Sequence, residues 1–257
     1  MTPTQARAVA GFEPHWTAPP GVRLFVTTRG GPGHSEAPFD RFNLGYHVGD
    51  DPEAVAANRA DLRAGLGLPA EPGWLTQVHG TRCARVGPEG PAEAEADAGW
   101  VAAPGAVAAV LTADCLPVVL AHQSGSAAAV AHAGWRGLAA GVLEETVAAL
   151  GEPGALHAFL GPAIGPDAYA VGQEVRDAFA RAAFEDLLAF QPSGEGWRAN
   201  LYLLAANRLK RLGLRPDRIS GGGFCTFTDT QRFYSHRRDA GITGRMASLV
   251  WLEPGTD

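Results

Sequence analysis

Between Val107 and Ala133 three apolar runs follow one another with only short polar breaks. They are VAAVLTA (107–113), PVVLAH (117–122) and AAAVAHA (127–133). Runs of this length bounded by turn residues read as strands, and the last two face each other across QSGS as a hairpin. RGLAAGVLEETVAALG (136–151) then places apolar residues at helical spacing and reads as one helix. Hairpins mixed with crossover helices lead to an α/β (α+β) chain: one domain, with a large mixed β-sheet and helices packed on it.

The rest of the chain fits that class. VRLFVTTR (22–29) alternates and reads as a strand, running into the Gly-rich turn RGGPGH. DDPEAVAANRADLRAGLG (50–67) reads as a helix, with Asp51 as N-cap, Pro52 at the first helical position and Gly67 as the stop. WLTQVHG (74–80), RCARVG (82–87) and RMASLVWL (245–252) read as further strands, and ALHAFLGPAI (155–164) as strand then loop; 174–184 and 201–213 read as helices. The 33 glycines and 19 prolines are scattered, as expected for turns between many short elements. GPEGPAEAEADAG (87–99) and PSGEG (192–196) are the most linker-like stretches, and neither forces a domain boundary. Residues 1–257 are therefore expected to form one domain, with 1–21 as an N-terminal arm.

Composition narrows the partners. The chain has 257 residues, 46% hydrophobic and 19% charged, with net charge −6. So acidic a surface is a poor non-specific binder of nucleic acid or membrane, though a local basic pocket would still hold a small anion. Three cysteines and no CxxC fit a reducing compartment. The first residues lack a basic start followed by an apolar stretch, so no signal peptide is read. No apolar run approaches the roughly 20 residues that span a bilayer. The expected address is the cytoplasm.

Cys115 and His132 sit at the outer ends of the hairpin candidate. Paired residue numbers in a tight hairpin have a constant sum. With Gln123–Ser124 as the turn, Cys115 lies directly opposite His132. With Ser124–Gly125 as the turn, the two are diagonal but share a face. The intermediate register puts them on opposite faces. All three registers require pairing past Pro117, which cannot donate to a ladder. A lone cysteine in an apolar setting is ordinarily core filler. Asp114 shifts that balance, because a carboxylate beside the cysteine is costly to bury without a polar partner. TADC thus looks like a strand end opening into a cleft. His132, in AHAGWRG, precedes a helix start whose N–H groups, with Arg136, would receive an anion. His79, in TQVHGT, ends another expected strand. The other six histidines show no metal-ligand spacing among themselves.

The pieces TTRGG (27–31), FNLGYHVGDDPEAVAANR (42–59), LTQVHG (75–80), TADCLPV (112–118), AHAGWRGL (131–138), LGPAIGP (160–166) and FYSHRRD (233–239) come in one order along the chain. In them the chain resembles the bacterial YfiH/YlmD-like laccase-domain proteins, whose eukaryotic relative is FAMIN. The resemblance implies a mixed-sheet α/β sandwich and a catalytic zinc held by His79, Cys115 and His132, with copper as the alternative at the same ligands. Two His and one Cys leave a fourth tetrahedral position for water or substrate. It implies a purine nucleoside phosphorylase acting on adenosine, inosine, guanosine and methylthioadenosine, with adenosine deaminase activity. Relatives are also described as peptidoglycan editing factors that remove L-serine from a UDP-MurNAc precursor, so amide hydrolysis is the alternative. A binding module without turnover ranks third. True laccase chemistry fits poorly: the chain has no His-x-His pair, and neither Met1 nor Met246 falls in a matching motif. Arg29, Arg59 and Arg136 are the candidate phosphate clamp, and Asn43 and Gln77 are further pocket candidates. Asp114 is a candidate proton carrier. His236 stands where the family more often has tyrosine.

Overall fold

Strands whose side chains are buried on both faces need neighbours above and below, and a computed structural model of the chain shows them stacked in layers. It describes residues 9–91 and 94–254. The strands are β1 (Gly11–Phe12), β2 (Val22–Thr27), β3 (Cys83–Gly87), β4 (Gly90–Pro91), β5 (Ala98–Val101), β6 (Val107–Thr112), β7 (Leu116–His122), β8 (Ala128–Ala133), β9 (Leu156–Leu160), β10 (Ala170–Val171), β11 (Phe190–Ser193), β12 (Gly196–Ala199), β13 (Ile219–Gly221) and β14 (Met246–Leu252). The α-helices are α1 (Pro52–Leu66), α2 (Trp135–Ala140), α3 (Val142–Leu150), α4 (Gln173–Ala180) and α5 (Leu201–Arg211).

A four-stranded sheet runs β1-β2-β14-β6, and a seven-stranded mixed sheet runs β13-β9-β7-β8-β5-β3-β4. Alternation of buried and exposed side chains is absent from β6, β8 and β14, where every residue is buried. One side of the four-stranded sheet, with Val110 and Val250, packs on Val119, Val130 and Phe159 of the seven-stranded sheet. Its other side, with Leu111 and Leu249, meets Leu62 of α1. The outer side of the seven-stranded sheet, with Leu116, Val118 and Leu120, packs on Leu138, Leu143 and Leu204 from α2, α3 and α5. Helix, sheet, sheet and helix thus form the expected sandwich, and full burial of each such leucine contributes about 1.5–3 kcal/mol.

Local chemistry sets most element ends as expected. The Asp51 carboxylate accepts the Glu53 N–H at 3.0 Å, and Gly67 ends α1 at φ +58°. The β7–β8 hairpin pairs Pro117 with His132 and Leu116 with Ala133, the register centred on Ser124–Gly125. Cys115 and His132 are therefore diagonal on one face.

Four expectations need correction. Residues 74–80 are not a strand: they are an extended segment touched by isolated bridges at Gly73 and Thr76. The helix expected over 136–151 is two helices, because Gly141 at φ +113° breaks it. PSGEG is the turn of the β11–β12 hairpin rather than a linker. The 87–99 stretch carries β4 and the start of β5, and its residues 92–93 lie outside the described ones. Of the expected N-terminal arm, residues 1–8 also lie outside them; β1 pairs with β2.

Candidate metal and substrate site

Three elements end at one place. The segment before β3 carries His79, the turn between β6 and β7 carries Cys115, and β8 carries His132 just before α2. The ligand atoms of the three side chains all lie within 4.8 Å of one another. Cys115 Sγ is 3.9 Å from His79 Nε2, and the two imidazoles meet edge-on with centroids 4.8 Å apart. Zinc–ligand bonds of about 2.0–2.3 Å place tetrahedral ligand atoms roughly 3.3–3.8 Å apart. The cluster is close to that spacing, and its two nitrogens and one sulfur are a donor set that zinc accepts.

The backbone is bent to make the cluster. His79 sits at φ +61° and Asp114 at φ +85°, conformations that side-chain-bearing residues rarely adopt and that concentrate at functional sites. Gly134 has no side chain because a Cβ there would come within 2.9 Å of Cys115 Sγ and 3.0 Å of His79 Cδ2. At Gly137 a Cβ would meet the Gly80 carbonyl at 2.8 Å, so the first turn of α2 packs directly on the His79 segment. These two glycines explain the spacing within HAGWRG.

Asp97, fully buried, lies behind the ligands. His132 Nδ1 donates to it at 2.8 Å, and the backbone N–H groups of Val78, His79 and Gly80 donate to it at 3.1, 2.9 and 2.6 Å. Burial works against its charge, but these hydrogen bonds outweigh burial and hold the carboxyl below the usual range. Burial likewise opposes the Cys115 thiolate, yet the charge of His132 and hydrogen bonds from both histidines bring the thiol down to about 6. His132 is desolvated too, but Cys115 and Asp97 raise it to about 9. Cys115 is thus half of a polarised pair rather than core filler.

The cluster opens on a cavity of about 800 Å³. Arg59, Arg136, Arg237 and Arg245 line it, with His47, Trp74, Trp135, Tyr169 and His236 among the other walls. Arg59 donates to the Leu44 carbonyl and lies between the Tyr46 and Trp74 rings, 4.4 and 4.0 Å from their centroids. The Arg245 guanidinium donates to the carbonyls of Thr243 and Gly244. Burial lowers both guanidinium pKa values. Among the described residues, none of the four arginines forms a salt bridge with a carboxylate. Asp114 shares the lining, but its oxygens accept from Thr226 Oγ1 at 2.6 Å and the Arg237 N–H at 2.7 Å. It anchors these two donors at the cavity wall.

The remaining candidates divide. Arg59 and Arg136 line the cavity; Arg29 and Asn43 do not. Arg29 donates to the Asp40 carbonyl and carboxylate and stacks on Tyr234. Asn43 is fully buried, and its Oδ1 accepts the Gly45 and Arg245 N–H groups, so it positions Arg245 from behind. Gln77 pairs with the backbone of Leu111 through both its oxygen and its nitrogen, which fastens the His79 segment to the end of β6. Sequence reasoning missed Asp97, His47 and Arg245. Asp97 stood between alanines in an acidic stretch, and only the apolar strand after it hinted at burial.

Known proteins resemble this chain along most of its length. The family described as multi-copper polyphenol oxidoreductase laccase matches residues 23–253. A protein of Pseudomonas aeruginosa named a purine nucleoside phosphorylase is 53% identical over 247 residues, covering 95% of this chain and 99% of the relative. Escherichia coli YfiH, also named a purine nucleoside phosphorylase, is 48% identical over 240 residues, covering 93% and 97%. A Neisseria meningitidis crystal structure superposes with a TM-score of 0.89 at 44% identity, covering 95% of this chain and 99% of that one. YlmD from Geobacillus stearothermophilus gives a TM-score of 0.85 at 28% identity, covering 95% and 100%. With the fold, the motif order and the match across 23–253 in agreement, the chain belongs to the multi-copper polyphenol oxidoreductase laccase family.

Proposed function

We propose that the chain is a zinc-dependent purine nucleoside phosphorylase. The observation that carries the reading is a His–Cys–His cluster opening on a cavity with four arginines unpaired to carboxylates, in a chain whose relatives are named for that activity. Among the described residues, the half-buried guanidinium groups of Arg59 and Arg245 donate only to carbonyls, which favours an anionic partner, and a planar fork suits phosphate. Arg59, Arg136, Arg237 and Arg245 hold the phosphate; Trp74, Trp135 and Tyr169 offer ring faces and edges to the purine. In phosphorolysis a phosphate oxygen bonds to the sugar C1′, and the C1′–N9 bond breaks. Its electron pair leaves with the purine, which takes up a proton.

His79, Cys115 and His132 would hold the metal, which when bound supplies Lewis acidity. Zinc fits this set better than a blue-copper centre. Met246 Sδ, the one thioether among the described residues, accepts the Tyr234 N–H at 3.0 Å and does not line the cavity. Adenosine, inosine, guanosine and methylthioadenosine are the proposed substrates, with deamination of adenosine as a second activity and the cytoplasm as the place of action. The three cysteines are unpaired among the described residues, in keeping with that address.

The test is chromatography of adenosine and inosine incubated with the protein, with and without phosphate. Phosphate-dependent release of adenine or hypoxanthine supports the phosphorylase, and phosphate-independent inosine from adenosine supports the deaminase. Unchanged nucleosides with metal present in the protein would sink the reading and make hydrolysis of UDP-MurNAc-L-serine the next assay. His79→Ala, Cys115→Ala and His132→Ala are each expected to abolish turnover in a folded chain. Full activity in a folded Cys115→Ala variant overturns the site.

A further inference from the structure

We propose that Asp97 is a positioning residue that fixes two of the three ligands at once. The inference rests on the metal reading above. Asp97 Oδ1 accepts His132 Nδ1–H and the His79 N–H; Oδ2 accepts the N–H groups of Val78 and Gly80. With Nδ1 engaged as a donor, His132 has only Nε2 to offer the cleft. Three successive N–H groups turned onto one carboxylate fold the 78–80 segment around it, and His79 occupies φ +61° within that turn.

The backbone of Asp97 is tied down as well. Its N–H donates to the Arg82 carbonyl at 3.0 Å, and its carbonyl accepts the His132 N–H at 2.7 Å. The carboxylate therefore occupies a fixed point between the two histidines. No Lys or Arg pairs with it among the described ion pairs, unlike the equally buried Asp186, which binds Arg211 with both oxygens. The two acceptor oxygens serve the 78–80 N–H groups and the His132 imidazole together, which ties the turn that carries His79 to the orientation of the second ligand.

Zinc affinity of the metal-free protein, measured by competition with a chromogenic chelator, tests the proposal without reference to turnover. Asp97→Asn is expected to lose roughly 10- to 100-fold in affinity while its circular dichroism stays native. Asp186→Asn serves as the control: it lowers the urea midpoint and keeps wild-type affinity. Wild-type affinity in Asp97→Asn, or an equal loss in Asp186→Asn, overturns the proposal. If Asp97→Asn does not fold, the ¹⁵N shifts of His132 in the zinc-loaded wild type decide. Protonated Nδ1 with zinc on Nε2 supports it, and zinc on Nδ1 overturns it. A wild-type chain that binds no zinc overturns the metal reading beneath it as well, whereas normal wild-type binding with an unaffected variant overturns this step alone.

Discussion

Gly134 marks how tightly the ligands are packed. Gly134→Ala would drive a methyl into Cys115 Sγ and His79 Cδ2, and both ligands would have to move. A shift near 1 Å at reacting groups costs on the order of 100-fold, so turnover should fall by about that factor in a chain of near-native stability. Steady-state kinetics beside a thermal melt checks it; unchanged kcat/KM contradicts the packing. The Cys115–His132 pair makes a second prediction. Between about pH 6 and pH 9 the pair holds one proton, on His132, because the thiol lies near 6 and the imidazole near 9. Metal ligation needs thiolate and neutral imidazole. Binding must then expel about one proton from the pair in that window, rising toward two below pH 6 as the thiol protonates and falling toward none above pH 9. Zinc calorimetry in buffers of different ionisation enthalpy measures this, and heats independent of buffer at pH 7.5 would contradict it. Cys115 and His132 were legible as a pair because a short hairpin turn confines their register, whereas His79 joined them only through the family resemblance. Asp97 was not legible, because its partners lie 17 to 35 residues away and no local pattern encodes them.

Elements were readable where their signals are local. The Asp51–Pro52 start and Gly67 stop of α1 rest on side chains within a turn of the helix end, and the short loop of the β7–β8 hairpin confines its register. The 74–80 segment misled because it is short and holds Trp74, Thr76 and Val78, residue types that strands favour. From Gln77 to Gly80 its hydrogen bonds go instead to the Asp97 carboxylate and, through the Gln77 side chain, to Leu111. Continuous helical spacing over 136–151 likewise concealed the break at Gly141. Asp114 joins elements far apart in sequence: it ties the β6–β7 turn to Thr226 and Arg237. Asp114→Ala orphans both donors, at about 1–3 kcal/mol each, and frees the segment that carries Arg237. The expected result is a lower urea midpoint together with a raised KM for phosphate. Thr226→Val, which removes one of the two bonds, should be the milder variant on both counts. Equal midpoints for Asp114→Ala and wild type would contradict the anchor.

Across the whole molecule, helix, sheet, sheet and helix share buried surfaces, and the sandwich brings the segments that carry His79, Cys115 and His132 to one cavity. The α/β class followed from mixing hairpins with crossover helices, and the sandwich from the family resemblance, but the division into two large sheets did not. The apolar runs specify burial on both faces without naming the partner. β14 lies inside the four-stranded sheet, between β2 and β6, with five and six paired positions respectively. This order has a consequence for timing. During synthesis β2 and β6 are made long before the strand that separates them. At about 5–20 residues per second, the wait for β2 is on the order of tens of seconds. Throughout it, two apolar strands have open edges, the condition in which nascent chains are captured by one another or by chaperones. Ribosome-bound chains arrested before Met246 should therefore be cut rapidly by protease across residues 22–112, and chains released with β14 should resist. Equal resistance in both would mean that the first strands find an earlier shelter.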